Sequence, residues 1–221
     1  NKTCVQDAII ASNATVPSTI TLGDGAVLRN FGGMSAVRVT DQAKLVMKSG
    51  SVIEDASSIT RSKGDAGSVG PAGAVWLQGG SLEMENGAEI RNINGRAVYA
   101  DGGSVSVGGT ISNITGNANM WQGEDGTAIH LRNNATGTLT ATGLIEKVTG
   151  GGTIVKLSSS TYTMDADSVM ECNEGTNIAA RDGTNTIFMN GEITGIKKGR
   201  YNAINLQAAS DAKDIIYCKI G

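Results

Sequence analysis

Aromatic residues make up only 4% of this 221-residue chain, proline occurs twice, cysteine three times and histidine once. Each scarcity excludes something. The cysteines, Cys4, Cys172 and Cys218, lack a Cys-x-x-Cys spacing, and with one histidine they do not make a zinc site. An odd count leaves room for at most one internal disulfide. No run of Lys or Arg occurs, and 18 basic against 21 acidic residues give a net charge of −3, so a nucleic-acid partner is not expected. No apolar stretch approaches the length of a membrane span, so no insertion of this segment into a bilayer is expected. There is no secretory signal to read, and the chain begins at Asn1, as a processed or excised segment would.

Glycine, in contrast, is abundant at 31 residues. That does not suit a helical bundle, because helices disfavour glycine. No strict three-residue glycine period exists, so collagen is excluded as well. Many short strands joined by tight turns fit, since glycine supplies the positive φ that such turns need.

A repeat then becomes visible. Segments of the type Ala-Val-x-Leu return seven times, at Val37/Val39, Val75/Leu77, Val98/Ala100, Ile129/Leu131, Val155/Leu157, Ile178/Ala180 and Ile204/Leu206. Each follows a segment anchored at Leu28, Ile53, Ile90, Ile111, Ile145, Met170 or Ile193. A third series reads Leu45/Met47, Leu82/Met84, Val105/Val107, Leu139/Ala141, Tyr162/Met164, Ile187/Met189 and Ile215/Tyr217, with Ile20/Leu22 ahead of the first full coil. Apolar residues two apart lie on one face of a strand. Three such strands per short repeat is the arithmetic of a parallel β-helix, whose coils stack about 4.8 Å apart. The expected fold is all-β: a right-handed parallel β-helix solenoid of about seven three-stranded coils. The handedness is expected by analogy with parallel crossovers.

Two residues after each first-strand anchor stand Asn30, Asp55, Asn92, Asn113, Lys147, Cys172 and Gly195. The amides are expected to turn inward and bond to turn backbones and to the coils above and below. Cys172 is then expected to be a free interior thiol, with Cys218 just beyond the last third strand on another side of the section. Residues 1–16 stand outside the repeat. Val5, Ala8 and Ile9 have helical spacing, so a short N-terminal capping helix is expected there, covering the open edge of a β-helix domain over 17–221. The chain stops as another coil begins, as a fragment of a longer surface protein would.

The runs Gly87-Ala-Glu-Ile90-Arg-Asn92-Ile93-Asn-Gly95 and Gly109-Thr-Ile111-Ser-Asn113-Ile114-Thr-Gly116 resemble right-handed β-helix repeats of the pectin-lyase-like superfamily. More narrowly, they resemble the adhesin-like repeats of large bacterial and archaeal cell-surface proteins. The segment from Val5 to Leu22 resembles the start of such domains. The resemblance implies an extracellular or cell-surface location and says little about activity, because the superfamily holds lyases, hydrolases, phage spikes and non-catalytic adhesins.

Two long insertions, from about Ser57 to Gly73 and from about Thr115 to Thr127, fall between first and second strands and so emerge on one side of the rod. The outward positions of the second strand that follows them are Arg38, Trp76, Tyr99, His130, Lys156, Ala179 and Asn205, and Trp121 lies in the second insertion. Aromatic faces beside cationic groups suit a sugar. The candidate ligand-binding residues are therefore Arg38, Trp76, Tyr99, Trp121, His130 and Lys156, forming a shallow strip for a glycan or a partner's surface. The bland alternative buries Trp76 and Tyr99 beneath the insertions as a satellite core.

No carboxylate stands in that outward row, whereas glycoside hydrolysis needs two. A polysaccharide lyase would use Lys156, Tyr99 or His130 as base and Arg38 to neutralise a uronate, but Arg38 and Lys156 are four coils apart, roughly 19 Å by strand spacing. No enzyme, cofactor or metal site is expected. Calcium would need six to eight oxygens, and the acidic turns at Asp65, Glu124/Asp125, Asp165/Asp167 and Asp211/Asp214 lack a ligand spacing. The expected function is a non-catalytic adhesin-like module, with a structural stalk and a polysaccharide lyase as the alternatives.

Overall fold

A computed structural model describes residues 9–12, 15–33, 35–58, 73–116, 126–149, 153–171, 174–195, 203–206 and 214–218. These form three parallel sheets of stacked strands, the arrangement of a parallel β-helix solenoid. The first sheet runs through Val27–Arg29, Val52–Glu54, Glu89–Asn94, Thr110–Thr115, Leu144–Glu146, Val169–Glu171 and Glu192–Thr194. The second contains Ile9–Ala11, Val37–Thr40, Val75–Gln78, Arg96–Asp101, Thr127–Arg132, Thr153–Ser158, Thr176–Ala180 and Ile204–Leu206. The third contains Thr19–Leu22, Lys44–Met47, Ser81–Met84, Ser104–Val107, Thr136–Leu139, Thr161–Met164, Thr186–Met189 and Ile215–Cys218.

Register follows the apolar alternation. Leu28, Ile53, Ile90, Ile111, Ile145, Met170 and Ile193 pair in sequence along the first sheet. Val37, Val75, Val98, Ile129, Val155, Ile178 and Ile204 do the same along the second. A one-residue slip would turn every such side chain out of the core, which is why the pattern fixes the pairing. The inward files form one continuous apolar core. Each fully buried Ile, Leu or Val in it contributes roughly 1.5–3 kcal/mol relative to exposure.

The third sheet departs from the expected apolar series in two coils. Val105 pairs with Gly137 and Val107 with Leu139, so the inward pair of that coil is Gly137/Leu139 and Ala141 lies in the following turn. Gly137 lacks a side chain because its space is filled by neighbours: a Cβ there would lie 2.6 Å from Leu131 Cδ1 and 3.1 Å from Tyr162 Cδ2. In the last coil Ile187 pairs with Ile216 and Met189 with Cys218. Ile215 and Tyr217 therefore occupy the outward parity and are exposed. Three apolar residues in a row, Ile215, Ile216 and Tyr217, satisfy either parity, and only the neighbouring coil decides.

The bend after the first strand is a left-handed one. Asn30, Asp55, Asn92, Asn113 and Lys147 have φ of 62°, 54°, 55°, 52° and 54°, and Gly195 has 63°. Asn and Asp tolerate this region better than other side chains, which explains their recurrence. These residues are exposed, not turned inward as the sequence suggests. What ties coil to coil is lateral: Asn92 Nδ2 donates to Asp55 Oδ1 at 3.1 Å. The apolar residues that follow, Ala56, Ile93, Ile114 and Val148, are buried. Cys172 lies outside the described residues.

At the N-terminus the expected capping helix is not seen. Ile9–Ala11 is a strand of the second sheet, in register with Val37, Arg38 and Val39, and no helix occurs among the described residues. Val5 and Ala8 lie outside them. Alternation places Ile9 and Ala11 on the core side and leaves Ile10 exposed, which a strand satisfies as well as a helix turn would.

Outward charges on the first sheet pair across coils. Glu54 receives Arg29 at 3.3 Å and Arg91 at 2.9 Å. Glu146 stands beside the like-charged Glu171 in register, and its carboxylate is held by Lys147 Nζ at 2.7 Å.

Candidate functional site

The outward positions of the second sheet are brought into one file. Arg38 pairs with Trp76, Trp76 with Tyr99, Tyr99 with His130, His130 with Lys156 and Lys156 with Ala179, each on the next coil. Of the six candidate residues, five stand in this file. Trp121 lies outside the described residues, as do most of both insertions.

The file is held by aromatic and cationic contacts. The Arg38 guanidinium carbon lies 4.5 Å from the Trp76 ring centroid, and Arg38 Nε donates to Gln78 Oε1 at 2.8 Å. Tyr99 meets His130 edge to face, with centroids 5.0 Å apart at 88°. Arg96 reaches over the Tyr99 ring, 5.2 Å to its centroid, and Arg132 donates to the Tyr99 hydroxyl at 3.2 Å. Arg96, Thr127 and Arg132 are thus part of the same constellation. The pleat could have found Arg132, which is two residues beyond His130, but not Arg96 and Thr127, which pair with each other at the start of the same two strands and are an odd number of residues from Tyr99 and His130.

Burial is the main difference from a shallow strip. Trp76 is 6% exposed, Tyr99 0%, His130 3% and Lys156 9%. Only Arg38 is half-buried and Arg132 exposed. Buried polar atoms are usually paired. Yet Trp76 Nε1, Thr127 Oγ1 and both ring nitrogens of His130 have no hydrogen-bond partner among the described residues.

Electrostatics follow from this packing. Burial lowers the basicity of His130 well below the ordinary imidazole value, reinforced by the positive charges of Arg96, Lys156 and Arg132. Lys156 is pulled down to about 8, first by burial and then by Arg96 and Arg181. Arg96 is lowered to about 10, again chiefly by burial. The Tyr99 hydroxyl is pushed up by burial, against the opposing pull of Arg132. Of the acidic turns considered for calcium, Asp214 Oδ1 accepts from Asn185 Nδ2 at 3.0 Å. No group of three His, Cys, Asp or Glu that could hold a metal occurs among the described residues.

The outward face of the third sheet is different in kind. Ser104, Thr136, Thr161 and Thr186 form one file in register, and Ser106, Thr138, Thr163, Phe188 and Tyr217 another. Phe188 and Tyr217 stack at 4.8 Å with an interplanar angle of 8°. No protein-family model matches the chain, and no curated protein matches it either.

Proposed function

We propose that this protein is a non-catalytic, adhesin-like module of the right-handed, pectin-lyase-like β-helix type, carried on a bacterial or archaeal cell surface. It binds a glycan or a partner's surface through the outward face of the second sheet and the two insertions beside it. The observation that supports this reading is the file itself. Five coils in succession present Arg, Trp, Tyr, His and Lys in strict lateral register. Aromatic rings pack against the C–H faces of sugars, and cationic and N–H groups bond to their oxygens. Solvent reaches Arg38 in the file and Arg132 two residues beyond His130.

The non-catalytic reading rests on the second-sheet file, where Arg38, Trp76, Tyr99, His130 and Lys156 include no carboxylate of the kind glycosidic cleavage uses. A lyase would need a base and a uronate neutraliser on one sugar, and Arg38 and Lys156 stand too far along the rod to share one.

A second reading, a structural stalk that spaces another domain from the cell, is favoured by the burial of Trp76, Tyr99 and His130. The test is a glycan array at neutral pH with wild type, the double variant Arg38→Ala/Arg132→Ala, and Lys44→Ala on the third sheet as control. The adhesin reading expects array signals that the double variant loses and the control keeps. No signal from wild type supports the stalk. A rise in ultraviolet absorbance on incubation with acidic polysaccharides would instead identify a lyase.

A further inference from the structure

The outward face of the third sheet changes character along the rod. Over its early strands it is charged: Lys44 pairs with Glu83, and just beyond the same strands Lys48 pairs with Glu85. From Ser104–Val107 to Ile215–Cys218, the last five strands of that sheet, no outward position carries a charge. A surface that only faces water ordinarily carries charge at about one position in four. Here hydroxyls stand instead. Those of Thr136, Thr138, Thr161 and Thr163 make no hydrogen bond to another described residue. Thr140 and Thr142, in the turn that follows, are by contrast tied back to Val107 O at 3.3 Å and Gly108 O at 2.8 Å. The files end on the parallel rings of Phe188 and Tyr217, both exposed, with Ile215 exposed beside them.

Size and charge restrict what can lie on this strip. It is two files wide, about 7 Å, and five strands long, roughly 19 Å, at the spacings of a parallel sheet. Even with a margin for the side chains it falls well below the about 800 Å² per partner that a stable protein interface buries, so it is too small to hold a second copy or a folded partner by itself. It offers no cation to pair with a uronate or a sulfate. A narrow row of neutral donors and acceptors that ends in open aromatic rings fits a single chain of neutral sugars. The sugar hydroxyls bond to the Thr and Ser rows, and the C–H faces pack on the rings. We infer that the third-sheet face from Ser104 to Tyr217 is a binding strip for a neutral polysaccharide laid along the rod. It is separate from the second-sheet face and does not depend on the reading of that face as a binding surface.

Native affinity electrophoresis of the full chain tests this, in gels that hold hydroxyethylcellulose, mixed-linkage β-glucan or galactomannan, with carboxymethylcellulose as the charged counterpart. The strip expects at least one neutral polymer to retard the protein. Phe188→Ala/Tyr217→Ala should weaken the apparent affinity about tenfold. Thr138→Val/Thr163→Val, which removes two hydroxyls and keeps the side-chain shape, should weaken it several-fold. Arg38→Ala/Arg132→Ala on the second sheet should leave it unchanged. Circular dichroism checks the sheet signal of each variant, and the Thr pair carries the test if the aromatic pair does not fold. Retardation by none of the neutral polymers, retardation kept by both third-face variants, or a dimer in light scattering that Phe188→Ala/Tyr217→Ala dissolves overturns the inference. Loss of retardation in Arg38→Ala/Arg132→Ala alone also overturns it and assigns the binding to the second sheet, so the two faces fail separately.

Discussion

The outward faces of the second and third sheets are made by the same pleat on the same coils, yet they have opposite characters. On the third sheet, Ser, Thr, Lys and Glu stand half in water, and Lys44 pairs with Glu83 across a coil gap. On the second, Trp76, Tyr99 and His130 are buried as deeply as the core, and Trp76 and His130 carry ring nitrogens without a hydrogen-bond partner among the described residues. A solenoid needs only its inward files to fold. An outward file that is aromatic, cationic and buried is therefore more than the winding of the coils requires.

The contrast can be broken or sharpened by substitution. Tyr99→Ala removes a fully buried ring that contacts His130, Arg96 and Arg132, and should cost about 3–5 kcal/mol in chemical denaturation, as for an interior aromatic. A loss below about 1 kcal/mol, the range of an ordinary surface substitution, would make the second face as superficial as the third. Gly137→Ala places a methyl against Leu131 and Tyr162 on the inner side of the third sheet. Overpacking of this kind should cost about 1–3 kcal/mol, read from the same denaturation curves. Thr138→Ala, at the next residue but pointing outward, should change stability by no more than about 0.5 kcal/mol. If Thr138→Ala were the more damaging of the two, the inward and outward assignment of this strand would be reversed.

Most of the solenoid was legible in the amino-acid sequence, because period-2 alternation and a shared register are properties of neighbouring letters. The files through Val75, Val98 and Ile129 and through Ile53, Ile90 and Ile111 needed no knowledge of the third dimension. What escaped was decided by contacts between coils. Gly137 looks like a break in the apolar series until the Tyr162 ring is seen to fill its place. Ile215-Ile216-Tyr217 has no parity until Ile187 supplies one. Ile9 fits a helix turn and a strand equally, and only pairing with Val37 selects the strand. Asn92 and Asn113 were recognised as a recurring turn element; both supply a positive φ, and Asn92 makes the expected bond to the neighbouring coil, at Asp55, but from an exposed position rather than an inward one. Lateral adjacency of Arg38, Trp76, Tyr99, His130 and Lys156 followed from the repeat. Their burial did not, since strand periodicity states which way a residue points and nothing about what lies over it.

The central claim is that the second-sheet file is covered while its geometric equivalent on the third sheet is open. Hydroxyl-radical footprinting of the unmodified protein at neutral pH, read residue by residue by mass spectrometry, tests this most directly. Tyr217, 54% exposed, and its stacking partner Phe188 should be oxidised readily, and Trp76, Tyr99 and His130 should be protected. Oxidation of Trp76 and Tyr99 at rates matching Tyr217 would contradict the account.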